Sequence, residues 1–170
     1  MRFTKMQGLG NDYLYFYGEV ENPAEVSIKL SDRHFGVGSD GIITISHSDV
    51  ADFKMRIFNA DGSEAKMCGN ASRCIGKYLY EKGLTSKTEI ALDTLSGIKV
   101  LKLDIGDDGR VASVTVDMGC FQPLPVLGKE AFKAAEVKVF DRIFSAYTID
   151  MGNPHIVLMV DEAETVDVAR

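Results

Sequence analysis

MCGNASRCIGKYLYEKG, residues 67–83, places a cysteine directly ahead of a helix. Cys74, Ile75, Tyr78 and Leu79 fall on one face at helical spacing, which predicts a helix over 70–82 with an apolar stripe. Gly83 stands where a C′ glycine ends a helix. Cys68 then sits at about the N-cap, beside backbone N–H groups that lack intrahelical partners and near the positive end of the macrodipole. Both favour the thiolate; cysteines at helix N-termini drop from a pKa of ~8.5 to about 3.5–7.5. The same amides can hold a carboxylate, as helix N-termini hold other anions. Gly69 lets a ligand approach the backbone closely. Asn70 brings a donor and an acceptor to the helix mouth. The competing reading of Cys68 is a small buried hydrophobe, which is what most free cysteines are.

Around this helix the chain is mostly short apolar or alternating runs. Arg2–Met6 and Tyr13–Tyr17 read as strands flanking the turn QGLGND. Asn22-Pro23 reads as an N-cap and first helical residue, opening a helix through Phe35 that Gly36 ends. GIITIS (41–46) and DFKMRIF (52–58) are β-like, with the turn NADGSE after them. Beyond the helix, 88–92, 98–103 and 111–118 are β-like, the last two joined by the hairpin-like IGDDGR. CFQPLPVLGKEAF (120–132) has two prolines and little periodicity, so it reads as a linker. Three strand-like runs, 137–140, 143–151 and 156–160, follow, and DEAETVDVAR reads as the first turns of a helix. Strands outnumber helices, so the class is α+β rather than alternating βαβ.

One pattern occurs twice. A strand leads through Met6–Asp12 (MQGLGND) into a second strand; later a strand leads through Met151-Gly152-Asn153-Pro154-His155 into another. Cys68 follows Asn11 by 57 residues, so its counterpart in a second copy falls as far beyond Asn153, past Arg170. Gly-Asn turns are common, so coincidence is the competing reading; a true repeat implies a second copy cut short.

The remaining candidates divide by residue type. C-x5-C is not zinc spacing and no histidine completes a ligand set, so no metal is expected; Cys74 reads as core and Cys120 as structural. Gly36–Gly41 (GVGSDG) matches G-x-G-x-x-G but has a helix before it and a strand after, the reverse of a dinucleotide site. Asn11 and Asn59, each beside a turn, read either as turn residues or as hydrogen-bonding partners for an amino acid's carboxylate or ammonium. Pro154 forces Asn153 into an extended conformation and presents His155 either on a rigid turn suited to a site or as a strand-edge histidine without a role. A net charge of −6 without a basic stripe argues against nucleic acid or anionic membrane as partner. Three cysteines and no apolar leader or spanning segment point to the cytoplasm.

GLGNDY, RHFGVGSDGI, FNADGSEAKMCGNASRC and MGNPH, in this order from Lys5 to about Val160, resemble the N-terminal part of diaminopimelate epimerases. The resemblance implies a mostly antiparallel curved sheet around a central helix. Residues 1–118 form one lobe; 119–170 are a linker and the first strands of a pseudo-symmetric second lobe. It implies a cofactor-independent epimerase interconverting LL- and meso-diaminopimelate with two cysteines, one from each lobe. Cys68 matches the first of these. His155 matches a histidine beside the reacting carbon. Asn11, Asn59 and Asn153 match substrate-binding asparagines, and Gly69 and Asn70 match the backbone that cradles the carboxylate. Members are substantially longer. The later Cys-Gly motif, a further asparagine and a Glu-Arg pair are not in this chain, so these residues alone are expected to be inactive. Ala71 replaces a loop glycine of many members, and its Cβ could crowd the carboxylate. A homodimer is compatible with the resemblance. The alternatives are a related isomerase or racemase of another amino or imino acid, or a non-catalytic binding lobe.

Overall fold

The central helix, α2, spans Gly69–Glu81, with Cys68 as its N-cap in extended conformation (φ −144°, ψ 112°). At its end Leu84 N–H donates to the Leu79 carbonyl (2.9 Å) and Gly83 N–H to that of Tyr80 (3.0 Å). This pair of bonds needs a left-handed residue at C′, and Gly83 supplies it with φ +67°. The computed structural model describes residues 1–125, 133–139, 141–151 and 154–166. They fall into two compact units, Met1–Gly119 and Cys120–Arg170.

The first unit holds one sheet of eight strands: β1 (Thr4–Gly8), β2 (Asn11–Tyr17), β3 (Gly41–Ser46), β4 (Phe53–Asn59), β5 (Glu64–Ala65), β6 (Glu89–Thr94), β7 (Gly97–Ile105) and β8 (Val111–Asp117). Their order is β1-β2-β3-β4-β6-β7-β8, with β5 added on β4. Every pairing is antiparallel except β2–β3 and β4–β6. Those are the two places where the chain crosses over through a helix, as parallel neighbours require: α1 (Pro23–Ser31) lies between β2 and β3, and α2 between β4 and β6. Helix α2 packs against β1 and β8, the opposite edges of this order, and against β2 and β7. A flat sheet cannot bring both edges to one helix, so the sheet curls around α2.

Alternation along the central strands explains their unbroken apolar runs. Tyr13, Tyr15, Ile43, Ile45 and Ile57 turn toward α2 and share a core with Cys74, Ile75 and Leu79. Leu14, Phe16, Ile42 and Phe58 turn the other way, onto Ala24, Val26 and Leu30 of α1. Strands covered on both faces read as continuous hydrophobic stretches. Each fully buried Leu or Ile contributes about 1.5–3 kcal/mol relative to exposure, which is what holds α2 inside the curl.

Local details differ from expectation. Helix α1 opens with Asn22 as N-cap and Pro23 as its first residue, as read, but ends at Ser31 rather than at Phe35. Asp32 Oδ1 accepts from the N–H groups of His34 and Phe35, both at 2.7 Å, and this side-chain turn competes with further helix. Asn22 occupies the N-cap but caps nothing with its side chain; its backbone is left-handed (φ 48°), not the extended form that aims a cap at the first turn. The segment read as a linker contains β9 (Gln122–Leu124), which pairs with β11 (Arg142–Asp150). A three-residue strand is too short to show alternation, and Pro123 without an N–H suits an edge.

The second unit adds β10 (Ala135–Val139) and β12 (Pro154–Met159) on either side of β11. A 3-10 turn at Ala163–Thr165 stands where helical turns were expected. Residues 167–170 lie outside the described residues. No helix among the described residues is long and apolar enough to cross a membrane.

Candidate active site

Sheet register gathers three separated stretches of sequence on one rim. Asn11 opens β2 and Gly41 opens β3, and Gly41 pairs with Tyr13 on one side and with Asn59, the last residue of β4, on the other. The start of α2 meets this rim. Cys68, half-buried, donates from Sγ to Asn11 Oδ1 at 3.5 Å. The hairpin carrying Asn11 is tight against the helix start: a Cβ on Gly8 would lie 3.1 Å from the Asn70 carbonyl oxygen. The first intrahelical bond runs from Ser72 N–H to the Cys68 carbonyl (3.0 Å). The N–H groups of Gly69, Asn70 and Ala71 therefore lie ahead of the helical ladder.

Behind Asn11 sits a charged cluster. Asn11 Nδ2 donates to Asp40 Oδ2 at 2.8 Å, and Asp12 N–H to the same oxygen at 2.9 Å. Arg33 bridges Asp40 Oδ1 (2.9 Å) and Asp12 Oδ1 (2.8 Å), and Lys5 reaches Asp12 at 3.1 Å. The Arg33 hydrogen bond, aided by Lys5 and opposed by burial, holds the Asp12 carboxyl at about 2, below the ordinary 3.8. A carboxyl depressed in the folded state stabilises fully above its unfolded value, and that contribution fades as pH falls toward the folded one. Asp12→Asn is expected to cost about 1 kcal/mol at neutral pH, after discounting for the exposure of Arg33 and Lys5. The native and variant urea curves should converge as pH drops from 3.8 toward 2; a gap independent of pH would trace the loss to packing instead.

Tyr13 is buried beside Cys68. Burial first, and then the charge of Cys68, push its hydroxyl up to about 12, so it stays a neutral donor. Burial also raises the Cys74 thiol, which lies in the core as read from the sequence. Tyr15 is fully buried nearby, its hydroxyl beside the Cys74 thiol. Cys120, read as structural, is exposed.

The other sequence candidates divide. Asn59 N–H donates to the Ser63 carbonyl (2.8 Å) and Asn59 Nδ2 to Ser63 Oγ (3.0 Å), which fixes its orientation at the rim. The acceptor of Asn70 is already taken by Arg73 at 2.6 Å. Ala71 packs in the core, so its Cβ points away from the helix mouth. A groove of about 360 Å³ beside the first turn of α2 is lined by Gly69, Asn70, Arg73, Val114 and Met118; Cys68 and Asn11 are not among its walls. His155 is exposed in β12 of the second unit, opposite Ile149. Asn153 lies outside the described residues. Among the described residues no three His, Cys, Asp or Glu side chains gather as a metal site.

The family profile described as Diaminopimelate epimerase matches residues 3–122. The chain belongs to the diaminopimelate epimerase family. Diaminopimelate epimerases of Acetivibrio thermocellus and Parabacteroides distasonis are 52% and 53% identical to it, over 96% and 99% of this chain and 61% of each relative. That of Methanococcus maripaludis strain C5 is 49% identical over 96% of this chain and 62% of its own length. The chain thus spans about three-fifths of these diaminopimelate epimerases. Among solved structures, a hydroxyproline epimerase from Agrobacterium vitis superposes with a TM-score of 0.60 at 17% identity, covering 86% of this chain and 48% of that one. A PhzF-family phenazine biosynthesis protein from Bacillus anthracis also gives 0.60, at 18% identity, covering 92% and 53%. These two likenesses support the curled α+β lobe expected from the resemblance to diaminopimelate epimerases.

Sequence reasoning passed over Asp40, Tyr13 and Arg33. Asp40 meets Asn11 across 29 residues, and such a contact leaves no trace in local periodicity. The one available signal was the aspartate inside GVGSDG, which drew notice only for its glycines.

Proposed function

We propose that the protein carrying this chain interconverts LL- and meso-diaminopimelate, with Cys68 as one of two thiols that act on the α-carbon from opposite faces. The observation that carries this reading is Cys68 itself, N-cap of α2 and in contact with Asn11. In one direction its thiolate Sγ takes the α-proton and becomes S–H. The electron pair left on carbon spreads into the α-carboxylate, where charge grows in the transition state. The Gly69 and Asn70 N–H groups, at the positive end of α2, would receive that carboxylate. Fixed donors aimed at developing charge are worth roughly 10²–10³ in rate apiece. A second thiol then delivers a proton to the opposite face and inverts the centre; in the reverse reaction the two exchange roles. Asn11, Asn59 and Asn153 would hold the polar groups of the substrate, and His155 would lie beside the reacting carbon.

Inversion needs an acid and a base on opposite faces; Cys74 is buried, and the later Cys-Gly motif that the resemblance gives for the second thiol is not in this chain. Residues 1–170 by themselves are therefore expected not to invert diaminopimelate, whereas the complete protein does. Circular dichroism or chiral chromatography of the product, run in D₂O, tests this: the complete protein should invert with one deuterium gained at the α-carbon. Inversion by residues 1–170 alone would contradict the two-thiol reading.

A further inference from the structure

We infer that Asp40 is a positioning residue of this site, selecting the orientation of the Asn11 amide and through it the partner that Cys68 meets. An asparagine amide can present either its oxygen or its nitrogen to a neighbour. A carboxylate only accepts, so the Asn11 edge facing Asp40 must be Nδ2. Oδ1 is then the edge left for Cys68, at 3.5 Å. An oxygen facing sulfur accepts from S–H and would repel S⁻. Asp40 cannot readily turn away. Oδ2 also accepts from Asp12 N–H, and Oδ1 holds Arg33. Its backbone N–H donates to the Asp12 carbonyl (2.7 Å), and its carbonyl accepts from Ala60 N–H (2.9 Å), next to Asn59. One residue thereby ties the Asn11 hairpin to the turn that carries Asn59.

The titratable groups that bear on Cys68 are Tyr13 and Tyr15 of β2 and Cys74 of α2, with Arg73 acting on Cys74 and Asp40 also reaching Tyr13. Neither the tyrosines nor the buried thiol supplies a negative charge near neutral pH; the nearby carboxylates are Asp40, on Asn11 Nδ2, and Asp12, which Arg33 and Lys5 offset.

The inference rests on Cys68 being the reacting thiol, but its test reads thiol chemistry and needs no turnover. The experiment follows the pH profile of iodoacetamide alkylation at Cys68 in the purified protein, by peptide mass. Asp40→Asn, whose neutral amide lets Asn11 turn Nδ2 toward sulfur, is expected to speed alkylation at pH 7 about three-fold or more, and to move the profile to lower pH. A lost charge alone would act regardless of Asn11. With Asn11→Ala in place, adding Asp40→Asn is therefore expected to change the rate by less than about 1.5-fold. An unchanged profile in Asp40→Asn, or an equal change in the Asn11→Ala background, overturns the inference. Should Asp40→Asn not fold, the native protein still decides. The Asn11 side-chain amide protons should resolve downfield in a ¹⁵N spectrum, and signals matching a free amide overturn it. A positive result here alongside no epimerisation by the complete protein would sink the functional reading and leave the positioning role intact.

Discussion

Cys68→Ser in the complete protein is expected to lower the rate of diaminopimelate epimerisation by roughly a thousand-fold or more, while Cys74→Ser keeps it within about five-fold. The two residues share a helix and little else. Cys68 stands at the helix start, half-buried and in contact with Asn11. Cys74 faces inward with Ile75 and Leu79, and burial keeps its thiol protonated. A serine hydroxyl is too weak an acid to exchange a proton with an α-carbon at useful speed, so the loss at position 68 falls on chemistry. At position 74 the hydroxyl is a buried polar group, and its cost, about 1–3 kcal/mol, falls on stability. Stability loss with retained turnover in Cys74→Ser, and the reverse in Cys68→Ser, is the expected split. Equal loss of turnover in both would show that the roles of the two thiols are misassigned.

Gly41→Ala is expected to destabilise the protein by about 3 kcal/mol or more, one of the largest effects of any single methyl added here. A Cβ at this position would lie 2.1 Å from the Phe58 carbonyl oxygen and 3.0 Å from the Asn59 Cα, both backbone atoms of the neighbouring strand. The backbone there has φ +154°, which side-chain-bearing residues rarely adopt. Relief requires moving the end of β4 away from β3, and that end carries Asn59. Gly97→Ala is the control. It shares the positive φ (+87°) but has open space around it, so only the backbone term of about 1 kcal/mol applies. Urea midpoints that place Gly41→Ala no lower than Gly97→Ala would remove the close approach of β3 and β4 from the account.

The helix was legible because its signals are local. Cys74, Ile75 and Leu79 repeat at helical spacing, and Gly83 marks the stop, so both ends fell within a residue of α2. Seven of the eight strands of the first unit were legible for the same reason; β5, two residues at the end of what reads as a turn, was not. What stayed hidden depends on contacts across the chain. The curl of the sheet was expected only through the family resemblance; its physical cause, α2 touching both β1 and β8, lies in no window of sequence. The early end of α1 turns on one side chain, Asp32, outcompeting the next helical bonds. At the site, Cys68 could be placed at a helix mouth, but its pairing with Asn11, and that of Asn11 with Asp40, needed the strand register.

Iodoacetamide labelling of the complete protein, mapped residue by residue with and without saturating meso-diaminopimelate, tests most directly whether Cys68 faces the substrate. The account predicts that Cys68 labels readily and is protected by diaminopimelate. Exposed Cys120 should label with or without it, and Cys74 should stay unlabelled until the protein unfolds. Labelling of Cys68 that diaminopimelate leaves unchanged, or that is as slow as at Cys74, would contradict it.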